Sequence, residues 1–222
     1  MMPRLKPTIA PLESGDRLTR DEFERRYHLT PESFKAELVE GVVYVASPVR
    51  IYHGTPHAAV MGWLAVYWAA TPGTQLADNS TVRLNLDSEP QPDALLRIKV
   101  GGCSQISQDG YVEGAPELAV EIATSSVSLD LGAKLQMYCR SGVKEYIVWQ
   151  VFDDRLDWFV LQDGQYANLL PNDAGVLCSQ VFPGLWLDPQ AMVVGNLAQV
   201  LTVLQQGLQT AAHQTLVERL QA

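Results

Sequence analysis

The sequence predicts an α/β domain, a mixed β-sheet flanked by helices, followed by a C-terminal helix. Three observations predict it. Short β-branched runs alternate with stretches of helical periodicity. One run, ELAVEIA, is apolar almost throughout, as a strand buried on both faces must be. The chain has 222 residues, 47% hydrophobic and 18% charged, which gives a single core of ordinary size and argues against wholesale disorder.

Residues 1–18, rich in Pro and polar side chains, read as a flexible N-terminal arm. Thr19 opens a helix, because Glu22 follows at capping-box spacing in TRDEFERRYHL. In AELVEGVVYVASP, Gly41 interrupts the run and VVYVAS reads as a strand ending at Pro48. PHAAVMGWLAVYWAAT places Val60, Trp63, Leu64, Tyr67 and Trp68 at helical spacing, a buried helix ended near Pro72-Gly73. TVRLNL alternates polar and apolar, and PDALLRIKV reads as its returning partner in a hairpin. GGCSQISQDG reads as a loop and ELAVEIA as the buried strand. SSVSLDLGAKLQMYCRSG reads as one helix closed by Gly142, with Ser128 or Asp130 as cap. EYIVWQVF, DRLDWFVL and GQYANLL read as strands joined at Asp153-Asp154 and Asp163-Gly164. Beyond Met192, the apolar stripe of Leu197, Leu201, Leu204 and Leu208 predicts helix that packs on the domain or makes a dimer contact. The predicted organisation is an arm over 1–18, one domain over 19–190 and a helical extension over 191–222.

Composition narrows the function. No apolar run approaches the ~20 residues of a membrane span, and no secretory signal stands at the N-terminus, so the cytoplasm is the expected compartment. Cys103, Cys139 and Cys178 are odd in number and far apart, which speaks against disulfides and structural zinc. The net charge of −9 runs against a broad non-specific nucleic-acid binder. Neither a phosphate-cradling Walker loop nor a GxSxG nucleophile elbow is present, which counts against nucleotide and ester hydrolases.

Two acids carry the chemical signal. Asp93 follows Pro92 at a strand entry. Glu121 lies inside the apolar strand, sharing a face with Glu117, Ala119 and Ala123. A carboxylate so placed costs several kcal/mol unless a cation or metal compensates it. Asp130, Lys134 and Tyr138 follow at i, i+4 and i+8 on one helix face, so Lys134 can reach back towards the acids. His53 and His57 have metal-ligand spacing, but Gly54 and Pro56 between them argue against a continuous helix there. Arg83, Arg97 and Lys99 read as ordinary solvated charges, with phosphate contact as the functional alternative.

Together, AELVEGVVYVASP, the helix opening at His57, QPDALL and EIATSSVSLDLGAKLQMYCRSGVKEYIVW resemble the Uma-type restriction endonuclease family of the PD-(D/E)XK nuclease superfamily. The resemblance runs from roughly Glu37 to Leu161. It implies an αβββαβ core with carboxylates at one sheet edge, and a Mg²⁺- or Mn²⁺-dependent endonuclease acting on DNA. It implies Asp93, Glu121 and Lys134 as catalytic residues. Asp93, Glu121 and the Ile122 carbonyl become the metal ligands, which Glu37 can assist, and His57, Asp130 and Tyr138 match further family positions. The sequence departs from the pattern at Ala123, where the superfamily's lysine usually stands, and in Thr124-Ser125-Ser126-Val127, which lacks the family's proline. These departures leave a catalytically inactive binding or assembly protein on the same fold as the alternative.

Overall fold

The computed structural model describes residues 10–222. The first nine residues of the expected arm lie outside the described residues. The rest of that arm runs along the first hairpin instead of standing free. Gly15 and Val45 donate to Val43 O and Ser14 Oγ, Val43 donates to Asp16 O, and Leu12 is buried.

In chain order the elements are α1 (Arg20–Tyr27), β1 (Ala36–Val39), β2 (Val42–Val45), α2 (Ile51–Ala70), β3 (Thr74–Asp78), β4 (Val82–Arg83) and β5 (Ala94–Ile98). Then come β6 (Ser104–Ile106), β7 (Val112–Gly114), β8 (Leu118–Ala123), α3 (Val127–Asp130), α4 (Ala133–Ser141), β9 (Glu145–Gln150), β10 (Arg155–Gln162) and β11 (Gln165–Asn168). The chain closes with β12 (Leu177–Cys178), β13 (Trp186–Leu187), α5 (Pro189–Val193), α6 (Leu197–Leu208) and α7 (Ala211–Gln221). Among the described residues, no helix is long and apolar enough to cross a membrane.

The main sheet has the order β11-β10-β9-β8-β5-β3. Only β8 and β9 run parallel, joined by the α3–α4 crossover; the other neighbours are antiparallel. Every residue of β8 and β9 is buried, as their apolar runs require. One face carries Leu118, Val120 and Ile122 against Val60, Trp63 and Leu64 of α2 and Val200 and Leu204 of α6. The other packs Ala119 and Ala123 against Met137 and Tyr138 of α4 and Val39 of β1. This is the mixed sheet with helices on both faces that the sequence predicts.

Several local expectations change. TVRLNL and PDALLRIKV do not form a hairpin: β5 pairs with β3 and β8, while β4 joins β7 and β6 in a separate three-stranded sheet. The ALLRI run is buried at every position, so it needs a neighbour on each side. Part of the expected loop after it is β6. The buried Arg97 holds it by donating to Ser104 Oγ and O and to Gln75 Oε1. Arg97 is therefore not a solvated charge. Arg83 is also engaged, with Glu24 at 3.0 Å and Asp109 at 2.9 Å. The expected single helix after β8 is two, broken at Gly132, where any Cβ would strike the Ser128 carbonyl oxygen. Gly142 closes α4 in the left-handed conformation, φ 85°. Neither Ser128 nor Asp130 caps; Ser126 precedes α3, and its hydroxyl donates to Asp130 Oδ2.

The C-terminal helices seal α2. Trp63 Nε1 donates to Trp186 O, and Tyr67 Oη to Pro183 O. Gly207 of α6 sits so close to the Gly184 carbonyl and the Trp186 ring that no Cβ fits.

Two buried acids outside the site give testable consequences. Glu145 pins the turn before β13: Oε1 accepts from Gln180 N (2.7 Å) and Val181 N (3.1 Å), and Oε2 from Ser179 Oγ (2.7 Å). Glu145→Ala strands these donors and should lower unfolding free energy by about 3 kcal/mol in urea titration, given ~1–3 kcal/mol per unpaired buried group. A loss below ~1 kcal/mol would show that other contacts hold the turn.

Glu89 lies buried near Glu24, Arg83 and Arg20. Burial, then the Glu24 carboxyl, push its pKa from 4.5 up to about 8. The folded chain thus binds this proton more tightly than the unfolded chain. Stability from this group is fullest below about pH 4.5 and falls as pH rises towards about 8. Glu89→Gln should remove that slope. Its thermal midpoint should exceed the parent's above about pH 8 and match it below about pH 4.5, by calorimetry at both ends. Parallel curves at all pH values would contradict this.

Candidate active site

The site forms where β5 and β8 part. Their ladder pairs Ala94 with Val120, so Asp93 and Glu121 occupy the next register position, just beyond the pairing. There the Asp93 carboxylate replaces a strand: Oδ2 accepts the Ile122 N–H at 2.6 Å. Glu121 projects to the α4 side, where alternation puts it with Ala119 and Ala123.

Lys134 arrives from α4 and is almost fully buried. Its Nζ stands 2.9 Å from Glu121 Oε1, 2.8 Å from Glu37 Oε2 and 3.8 Å from Asp130 Oδ1. Ala123, the position where a lysine would usually follow the acid, is fully buried in the apolar core beneath α4. The cation therefore enters from the helix, not from the strand. Tyr138 Oη also donates to Glu121 Oε1, at 2.9 Å. Burial keeps this phenol well above its ordinary pKa, so it remains a donor. Both donors use Oε1; Glu121 Oε2 has no donor among the described residues. Glu37 is fixed by the Gln91 N–H on Oε1, and Asp130 by Ser126 on Oδ2.

The charge balance explains the titration behaviour. Burial pushes Glu121 well above the usual carboxylate range; Lys134 opposes this, while Asp130, Glu37 and Asp93 reinforce it. Burial likewise raises Asp130 to about 6. Lys134 behaves oppositely. Burial lowers its pKa, but Glu121, Glu37 and Asp130 more than restore it and hold it charged. One ammonium is shared by three acids, so the cation has partners in excess and the acids too few.

A second group lies on the α2 side. α2 runs unbroken through Gly54 and Pro56, contrary to expectation. Pro56 costs one hydrogen bond, and the Tyr52 carbonyl that loses it belongs to the exposed first turn. The histidines therefore share a helix face, with ring centroids 5.8 Å apart. His53 Nε2 lies 3.1 Å from Asp93 Oδ1, and this hydrogen bond raises the His53 pKa. His57 Nε2 meets Asp78 Oδ1 at 3.0 Å and Asp93 O at 2.9 Å. Sequence reasoning missed the roles of His53 and Asp78; the i, i+4 spacing was the available signal.

Glu37, Asp93, Glu121, Asp130, Lys134 and Tyr138 are thus linked by direct contacts or through the β5–β8 junction, with His57 at its rim. Among the described residues, no three His, Cys, Asp or Glu side chains form a ready metal cage. The donor chemistry nonetheless suits a hard divalent cation. The acids outnumber their one lysine, Glu121 Oε2 is free of donors, and Asp130 Oδ1 is buried without a hydrogen-bond partner.

A mixed sheet with an acid–lysine cluster at the split between two central strands defines a restriction-endonuclease-like α/β protein. The chain belongs to the Uma2 family, described as "Putative restriction endonuclease", whose profile matches residues 20–190. The crystal structure of "a putative nuclease belonging to DUF820" from Anabaena variabilis ATCC 29413 is similar in fold. Its TM-score is 0.56 at 13% identity, over 79% of this chain and 99% of that one. No curated protein matches the sequence.

Proposed function

We propose that this chain is a metal-dependent endonuclease that hydrolyses phosphodiester bonds in DNA. The observation that supports it most is the position of Asp93 and Glu121 at the β5–β8 split, with Lys134 beside them. Asp93, Glu121 and the Ile122 carbonyl would hold Mg²⁺ or Mn²⁺, supported by Glu37. Such an ion supplies Lewis-acid charge at a phosphate oxygen and lowers the pKa of a water.

The chain's own groups do the rest. The Ile122 N–H and His53 orient Asp93. Lys134 and Tyr138 fix Glu121 through one oxygen and leave the other to the site. The Lys134 ammonium places positive charge where a phosphate becomes more negative in the transition state. Ser126 anchors Asp130, which steadies Lys134 from behind.

Two observations favour the inert alternative: Lys134 already neutralises part of the acid cluster, and no ready metal cage exists among the described residues. Plasmid nicking and isothermal titration separate the readings. The nuclease reading expects Mn²⁺ or Mg²⁺ binding and conversion of supercoiled plasmid, both stopped by EDTA. Absence of both at millimolar metal supports a binding or assembly module.

A further inference from the structure

The start of α2 and the loop just before it expose large apolar side chains beside the site. Val49 is 74% exposed, Ile51 73% and Tyr52 64%, and Phe152, just after β9, is 66% exposed. Tyr52 and Phe152 face one another edge-on, with centroids 6.1 Å apart. Their place matters. Tyr52 precedes His53, whose Nε2 is 3.1 Å from Asp93 Oδ1. In the parallel β8–β9 register Glu121 faces Val148 and Ala123 faces Gln150, and Phe152 stands two residues further on. The aromatic pair therefore flanks the sheet end that carries both acids.

From this juxtaposition we infer that Tyr52 and Phe152 form a stacking platform for unpaired bases next to the scissile phosphate, so that the substrate is single-stranded or strand-separated DNA. The inference rests on the nuclease reading for its substrate and specifies it further. Every base offers a π-face, so exposed rings grip a strand without sequence readout. A continuous duplex hides those faces inside its stack. The charges differ from one ring to the other. Exposed Arg50 adjoins Tyr52, and exposed Lys35 is held next to the 46–50 loop by the Ala46 N–H on its carbonyl. Exposed Asp153 and Asp154 flank Phe152. Arg50 and Lys35 can meet the phosphates of a strand on the Tyr52 side, whereas Asp153 and Asp154 repel them beside Phe152.

The test is binding without turnover. Fluorescein-labelled oligonucleotides of about twenty residues, single-stranded or duplex, are titrated with full-length protein in EDTA and read by anisotropy, a length that exceeds the ~4–16 nucleotides of typical single-strand sites. The parent should prefer the single strand. The Tyr52→Ala/Phe152→Ala double variant should bind it at least about tenfold more weakly, with duplex binding unchanged, and Tyr52→Trp should retain affinity. A 2-aminopurine base should be quenched by the parent and not by the double variant. Unchanged single-strand affinity in the double variant overturns the inference, as does a parent that prefers duplex or binds no DNA. A parent dimer that the double variant dissociates, with DNA binding unaffected, would assign the patch to a second copy and also overturn it. Aromatic-dependent binding without metal-dependent cleavage would uphold the inference and sink the hydrolytic reading. Asp93-dependent duplex cleavage indifferent to the rings would do the reverse.

Discussion

Lys134→Met should lower the thermal midpoint by on the order of 10 °C at pH 8 and abolish cleavage. The substitution keeps the length of the side chain and removes its charge. Three acids, Glu37, Glu121 and Asp130, then share a buried space with no cation. Removing one partner of a buried ion pair costs about 3–5 kcal/mol, and a domain of this size loses ~2–4 °C per kcal/mol. The acids recover part of this by taking up protons. Burial raises Glu121 and Asp130 above their ordinary values even in the parent, and loss of the ammonium raises them further. A carboxyl with a raised folded pKa favours the folded state at low pH and disfavours it as pH rises. The deficit should therefore shrink from pH 8 towards pH 5, and added Mg²⁺ should recover more of it in the variant than in the parent. Calorimetry with and without Mg²⁺ checks both trends. A midpoint within ~2 °C of the parent at pH 8 would show that the cluster is not held together by its lysine.

Asp93→Asn should reduce cleavage by about a thousandfold while leaving the fold intact, at the upper end of losses for one preorganised electrostatic group. The asparagine oxygen can still accept the Ile122 N–H, so the junction of β5 and β8 keeps its hydrogen bond. What disappears is the negative charge. His53 then loses the bond that raises its pKa, and Mn²⁺ affinity should fall in titration calorimetry. Cleavage within tenfold of the parent, with a native thermal midpoint, would move the catalytic acid elsewhere.

The sequence made the sheet legible where composition had one meaning. ELAVEIA is apolar on one face and broken only by Glu117 and Glu121 on the other, which suits a strand buried in the middle of a sheet. The N-cap at Thr19 and the left-handed stop at Gly142 were legible because each depends on a local rule. Thr19 Oγ1 accepts from the Glu22 N–H, although the Glu22 carboxylate turns to Arg25 and Arg26 instead of closing the capping box. Pairing partners were less legible. β5 looks like the return of a hairpin beside TVRLNL, yet β3, whose last residue Asp78 stands sixteen before Ala94, supplies the neighbour. Register between distant strands is decided by tertiary packing, which leaves no local mark. The same holds at the site. Glu121 stands out as a charge in an apolar run, and Lys134 can be placed on the helix that follows. His53 could not be tied to Asp93, because a proline after it suggested an end to the helix. Glu145 gave no warning either: its three donors come from a turn more than thirty residues away.

The contact between Gly184 and Gly207 bears on how relatives can differ. The family profile ends at residue 190, yet Gly207 beyond it meets main chain before it, with no side chain to cushion the meeting. Tails of two relatives are therefore not interchangeable on the strength of a matching hydrophobic stripe. A transplanted tail must also reproduce a bare backbone seam. A protein cut at the profile's edge should present an oily trough and clump when concentrated.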